Sequence, residues 1–97
     1  MRKPPAIVDL HPDAFLEDWE DYSADELMLE SIDFLRSNLD AAIYWEMNEI
    51  KFIHGKGKGT LKKMIFKELQ DYKESGSIDR YYTSYQNEDV VVVVIGI

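Results

Sequence analysis

The sequence predicts an α/β fold with its elements in the order βαβαββ. Three observations carry it: short β-branched segments alternate with two stretches of helical periodicity, the first of those stretches opens on a capping box, and five consecutive valines stand near the end. Ninety-seven residues with 45% hydrophobic content suffice for one modest core and not for two, so one domain over residues 1–97 is expected.

Ala6-Ile7-Val8-Asp9-Leu10 follows Pro4-Pro5 and precedes His11-Pro12, which reads as a first strand closed by a turn. The Pro4-Pro5 start suits the trimmed end of a longer protein, a point that Met1 does not decide. From Asp13 to Tyr22 the chain is acidic with large aromatics, and an ordered but irregular connection is expected. Ser23 and Glu26 form the capping box, and Met28, Ile32, Leu35, Leu39 and Ala42 follow at helical spacing, which predicts a long helix over roughly 24–46.

Glu49 to His54 is dense in Ile and Phe and suits an interior strand that runs into a glycine-rich turn. Leu61, Ile65, Leu69 and Tyr72 mark a second helix, closed by Gly76. Ile78 to Tyr85 reads as a third strand with tyrosines on both faces. Asp89 to Ile95 reads as a fourth, its valines implying burial on both sides, with Gln86-Asn87-Glu88 as the turn between the two.

Cysteine is absent, which excludes disulfides, thiolate metal sites and cysteine nucleophiles and points to a cytoplasmic location. The longest apolar run, Val90 to Ile95, falls far short of the roughly 20 residues a membrane helix needs, so no membrane partner is expected.

A net charge of −8 argues at first against a nucleic-acid ligand, because phosphate neutralisation dominates such binding. The distribution argues the other way. Residues 1–54 carry a balance of −9 and residues 55–97 a balance of +1, and Lys51, Lys56, Lys58, Lys62, Lys63 and Lys67 follow one another with no acid between them. That segment is either a local cationic patch or a solvated helix face.

Two motifs lie where strands end, the place where open α/β sheets collect ligands. Asp9-Leu10-His11 sets a carboxylate two residues from an imidazole, on one side of an extended strand. The carboxylate orients the ring and stabilises its charged form, and the ring moves protons near neutral pH. A strand-terminal polar pair with no chemistry fits the same residues. His54-Gly55-Lys56-Gly57-Lys58-Gly59 stands between a strand and a helix: glycines free backbone amides to face an anion, and the helix start and the lysines add positive charge. It is neither a P-loop, since Gly59-Thr60 stands where Lys-Thr is required, nor a dinucleotide fingerprint, since only Lys58 separates Gly57 from Gly59. A tight turn without a ligand is the plainer alternative.

Val8-Asp9-Leu10-His11 and Ile53-His54-Gly55-Lys56-Gly57-Lys58-Gly59-Thr60-Leu61-Lys62, some 40 residues apart, resemble the two signature motifs of the Smr (small MutS-related) domain family. The resemblance implies a two-layer sandwich, a mixed four-stranded sheet with two helices, similar to the C-terminal domain of translation initiation factor three. It further implies nucleic-acid binding and, in some members, RNA cleavage or DNA nicking. Carried over residue by residue, Asp9 and His11 become the catalytic pair, and His54, Gly55, Lys56, Gly57, Lys58 and Gly59, with Lys62 and Lys63 beside them, the phosphate-binding set. Pro12 stands where the family usually has glycine, and the acids Glu17, Asp18, Glu20 and Asp21 that follow would repel phosphate if they lay beside the site.

The leading expectation is an endonuclease or nuclease-derived module acting on RNA or structured DNA. RNA is favoured, because a ribose 2′-hydroxyl is a nucleophile already present in the substrate. The alternatives are a non-catalytic module docking a larger protein onto nucleic acid or the ribosome, and a protein-interaction module using Phe15 to Tyr22. No cofactor is indicated; a divalent ion held by Asp9, His11 and His54 is one arrangement the spacing leaves open, as it does the oligomeric state.

Overall fold

The computed structural model describes residues 1–55 and 59–96. The elements are β1 (Ile7–Asp9), α1 (Pro12–Phe15), a 3-10 turn (Trp19–Asp21), α2 (Ala24–Tyr44), β2 (Glu49–Ile53), α3 (Thr60–Glu74), β3 (Arg80–Thr83) and β4 (Val90–Val94). The expected order holds, with one addition. The connection after β1 contains a helical turn because His11, in extended geometry, precedes Pro12 at the first helical position, where proline's fixed φ suits a helix start. Phe15 then anchors this segment by stacking on Phe34 of α2, with centroids 4.2 Å apart and planes 9° from parallel.

The four strands form one mixed sheet in the order β1-β2-β4-β3. β1 pairs parallel with β2, and β4 pairs antiparallel with both β2 and β3. Hence β1, β2 and β3 all point the same way, and their carboxyl ends share one edge.

Strand alternation sends Val8, Ile50, Phe52, Val91 and Val93 to the face that α2 and α3 cover, where Ile32, Leu35, Leu39, Ile65 and Leu69 meet them. The other face carries, in register, Ile7, Lys51, Val92 and Tyr82. The five valines are therefore not alike: Val91, Val92 and Val93 are buried, while Val90 and Val94 are half-buried. Burial is complete in the middle of the strand, even for Val92 on the face turned from the helices, where Lys51 and Tyr82 flank it, and falls off at both strand ends.

Helix α2 begins as the capping box predicts, with the Ser23 side chain accepting from the Glu26 amide and Glu26 accepting from the Ser23 amide. Gly76, at φ +81°, ends α3, and the Ser77 amide donates to the Tyr72 carbonyl at 2.9 Å. Inside the core the Ser31 hydroxyl donates to the Leu10 carbonyl at 2.8 Å, which ties the end of β1 to α2. The helices are clamped to each other by Arg36, whose Nε and Nη2 donate to both carboxylate oxygens of Glu68 at 2.8 and 2.9 Å.

This clamp has a pH signature. The hydrogen bonds from Arg36 hold the Glu68 carboxyl below its ordinary value of 4.5. A depressed folded-state value means that the stabilisation is complete above 4.5 and is lost as pH falls through the folded value. Glu68→Gln is expected to be less sensitive to acid: its melting temperature should fall less than that of the wild type between neutral pH and pH below 4.5. Parallel falls in the two proteins would show that the clamp has no part in acid unfolding.

Candidate functional site

Asp9 and His11 form the pair that strand alternation predicts. One carboxylate oxygen of Asp9, Oδ1, accepts from the His11 backbone amide at 2.9 Å and lies 2.6 Å from His11 Nδ1. An ionised carboxylate only accepts, so Nδ1 carries the hydrogen and Nε2 of the neutral ring holds the free lone pair. Both side chains are close to half exposed, at 46% for His11 and 43% for Asp9, so the ring is fixed and reachable at once.

The second motif meets the first through Gly55. Its backbone is left-handed, φ +78°, and a Cβ built there would lie 2.3 Å from His11 Nε2 and 3.0 Å from Cε1. The imidazole thus rests against bare backbone that only glycine leaves open. The His54 and Gly55 amides both donate to the Asp89 carbonyl, at 2.9 and 3.3 Å, which fixes this turn to the start of β4.

Around the contact opens a cavity of about 280 Å³ lined by His11, His54, Gly55, Gly59, Thr60, Leu61 and Lys62. Gly59, at φ +81°, is the residue before α3 and offers no side chain to cap it. The first amides of α3 and the positive end of its dipole accordingly border the cavity beside His11.

The other expected ligands separate. Lys62 lines the cavity, its Nζ 5.6 Å from the centre of the Phe66 ring. Lys63, one residue and about 100° further round the helix, is exposed and lies outside the lining. Lys67 lines a groove between α2 and α3, and Lys51 sits on the sheet face turned from the helices. Among the described residues, Lys51, Lys62, Lys63 and Lys67 therefore do not form one patch. Lys56, Gly57 and Lys58 lie outside the described residues.

His54, the first residue of the second motif, is buried just beyond the end of β2. It is 6% exposed, continues the inward alternation of Ile50 and Phe52, and meets Phe66 edge-on. Its Nδ1 donates to the Gly55 carbonyl at 2.9 Å, while its buried Nε2 has no hydrogen-bond partner among the described residues. It lines the cavity. Thr60 and Leu61, quoted above within the second motif but not among the expected phosphate ligands, also line the cavity; their position in the first turn of α3 was the available signal.

None of Glu17, Asp18, Glu20 and Asp21 lines the cavity. Asp18, with smaller contributions from Glu30, Glu26 and Asp21, raises the Tyr22 hydroxyl above its ordinary value, which marks where these acids gather. Trp19 remains 39% exposed. Among the described residues no three metal-ligating side chains converge, and no helix is long and apolar enough to cross a membrane.

A mixed sheet with its helices on one face and a carboxylate–imidazole pair against a glycine-opened helix start define an α/β domain with a candidate site at its strand ends. The chain belongs to the Smr domain family, whose sequence profile matches residues 22–95. The Smr domain of MutS2 from Thermus thermophilus is similar in structure, with a TM-score of 0.64 and 20% identity over 72% of this chain and 88% of that one. No curated protein matches the chain in sequence. The matched stretch begins after Asp9 and His11, so their place in the site rests on the geometry.

Proposed function

We propose that this domain binds nucleic acid and cleaves its backbone at His11, with RNA as the substrate. The observation that carries the proposal is the contact of His11 with Gly55, which sets an oriented imidazole and the open start of α3 around one cavity.

In this reading the α3 amides and Lys62 hold a backbone phosphate, and His11 Nε2 takes the proton of the adjacent 2′-hydroxyl. The 2′-oxygen then bonds to phosphorus, the bond from phosphorus to the 5′-oxygen breaks, and the imidazolium returns its proton to that leaving oxygen. The products are a 2′,3′-cyclic phosphate and a 5′-hydroxyl. Asp9 keeps the ring in the required tautomer and stabilises its positive charge. The −8 net charge is compatible with this reading, since none of Glu17, Asp18, Glu20 and Asp21 lines the cavity.

Incubation with end-labelled RNA tests the proposal. Cleavage with cyclic-phosphate ends is expected, and a single 2′-deoxy substitution should block the cut at that position alone. Equal cleavage of the all-DNA strand would overturn the 2′-hydroxyl mechanism. Amide shifts of Gly55 and Thr60 to Lys62 on titration, with no cleavage of any strand, would leave a docking module for nucleic acid or the ribosome.

A further inference from the structure

The sheet edge that carries Asp9, His11 and Gly55 also carries an aromatic pair that the proposed chemistry does not use. Because β3 points the same way as β1 and β2, its carboxyl end and the Ser84-Tyr85 that follow lie along this same edge. Two strand spacings of about 4.8 Å separate β3 from β2, and Tyr82 is level with Lys51, four residues before Gly55, which puts Tyr82 roughly 16 Å from the turn at Gly55 and Tyr85 nearer to it.

The two adjacent tyrosines of β3 have different tasks. Tyr81 faces the helices, where its hydroxyl donates to Gln70 at 2.7 Å and its ring meets Phe66 edge-on. Alternation sends Tyr82 to the opposite face, in register with Val92 and Lys51. Tyr85 then folds back onto Tyr82, with centroids 5.5 Å apart and planes 27° from parallel. Yet Tyr85 is 94% exposed.

Tyr85 therefore lies beside Tyr82 with nearly all of its surface open to solvent. A flat ring exposed in this way suits another flat π-system better than it suits a protein side chain seeking a groove. Lys51 of β2, in register with Tyr82 through Val92, puts a cation on the same sheet face.

We propose that Tyr85, backed by Tyr82, is the stacking platform for an unpaired base of a single-stranded nucleic acid whose phosphate occupies the cavity at the start of α3. The proposal rests on the nucleic-acid reading above and adds the preference for a single strand. Bases within a duplex already stack on one another, whereas an unpaired base offers a free face to an aromatic ring.

The test measures binding of three labelled probes: a short oligouridine, the same sugar-phosphate backbone lacking bases, and a blunt RNA duplex. Tyr85→Ala should weaken oligouridine binding about tenfold or more, the loss expected for one base–aromatic contact, and leave the other two probes unchanged. Tyr85→Phe, which keeps the ring, should bind oligouridine as the wild type does. If Tyr85→Ala binds oligouridine normally while Lys62→Ala does not, the platform is overturned and the nucleic-acid reading survives. Equal weakening on all three probes also overturns it, and a wild-type protein that binds none of them overturns both.

Discussion

His11→Ala is expected to lower the rate of RNA cleavage by about 10²- to 10⁴-fold, the usual contribution of a positioned general acid–base group, while oligonucleotide affinity stays close to that of the wild type. The separation follows from the geometry. The proposed phosphate contacts come from the start of α3 and from Lys62, whereas His11 reaches the cavity from the other strand end. Its side chain is nearly half exposed, so its removal leaves no core cavity and the fold should persist. Asp9→Asn separates orientation from charge: the amide oxygen still accepts from the His11 backbone and ring N–H groups, but the negative charge is gone. Its rate should fall between wild type and His11→Ala. Single-turnover cleavage measured alongside binding checks both. A His11→Ala protein that cuts at the wild-type rate removes His11 from the chemistry, and one that loses binding and cleavage together makes it a ligand for the substrate rather than a proton carrier.

The order of elements was legible in the sequence because each long element repeats its apolar residues at its own period: Ile32, Leu35 and Leu39 at helical spacing, Ile50 and Phe52 at strand spacing. α1 was not legible, since Pro-Asp-Ala-Phe is shorter than two helical turns and shows no period; what holds it is the distant stacking of Phe15 on Phe34. The Asp9–His11 pair was legible because a separation of two residues has a single meaning in extended chain. The lysines are spread by the helix, as nearness in sequence is not nearness on a helix, where Lys62 and Lys63 diverge by about 100°. The same alternation that sends Ile50 and Phe52 inward continues to His54, so its burial was available to a reader who gave the strand precedence over the glycine turn. The contact of His11 with Gly55 was out of reach: it depends on β1 lying parallel beside β2, a tertiary choice that neither motif carries.

Gly55→Ala should be nearly as damaging to cleavage as loss of His11, although it adds only a methyl group. Two costs arise together. A non-glycine residue held at φ +78° is strained by about 1–2 kcal/mol, which in a domain of this size lowers the melting temperature by several degrees. Separately, a Cβ 2.3 Å from His11 Nε2 cannot be accommodated, so the ring must swing away and break its 2.6 Å bond to Asp9. Gly76→Ala separates the two effects. It carries the same left-handed backbone, at φ +81°, but its added Cβ meets nothing within 4 Å, and it lies at the far end of α3 from the cavity. The two variants should therefore lose comparable stability, while Gly55→Ala alone loses cleavage. Loss of the His11 ring contact to Asp9, followed through the imidazole resonances, would accompany the fall. If Gly55→Ala and Gly76→Ala cut RNA equally well, the packing of His11 on bare backbone is incidental and the site must be sought elsewhere on the strand ends.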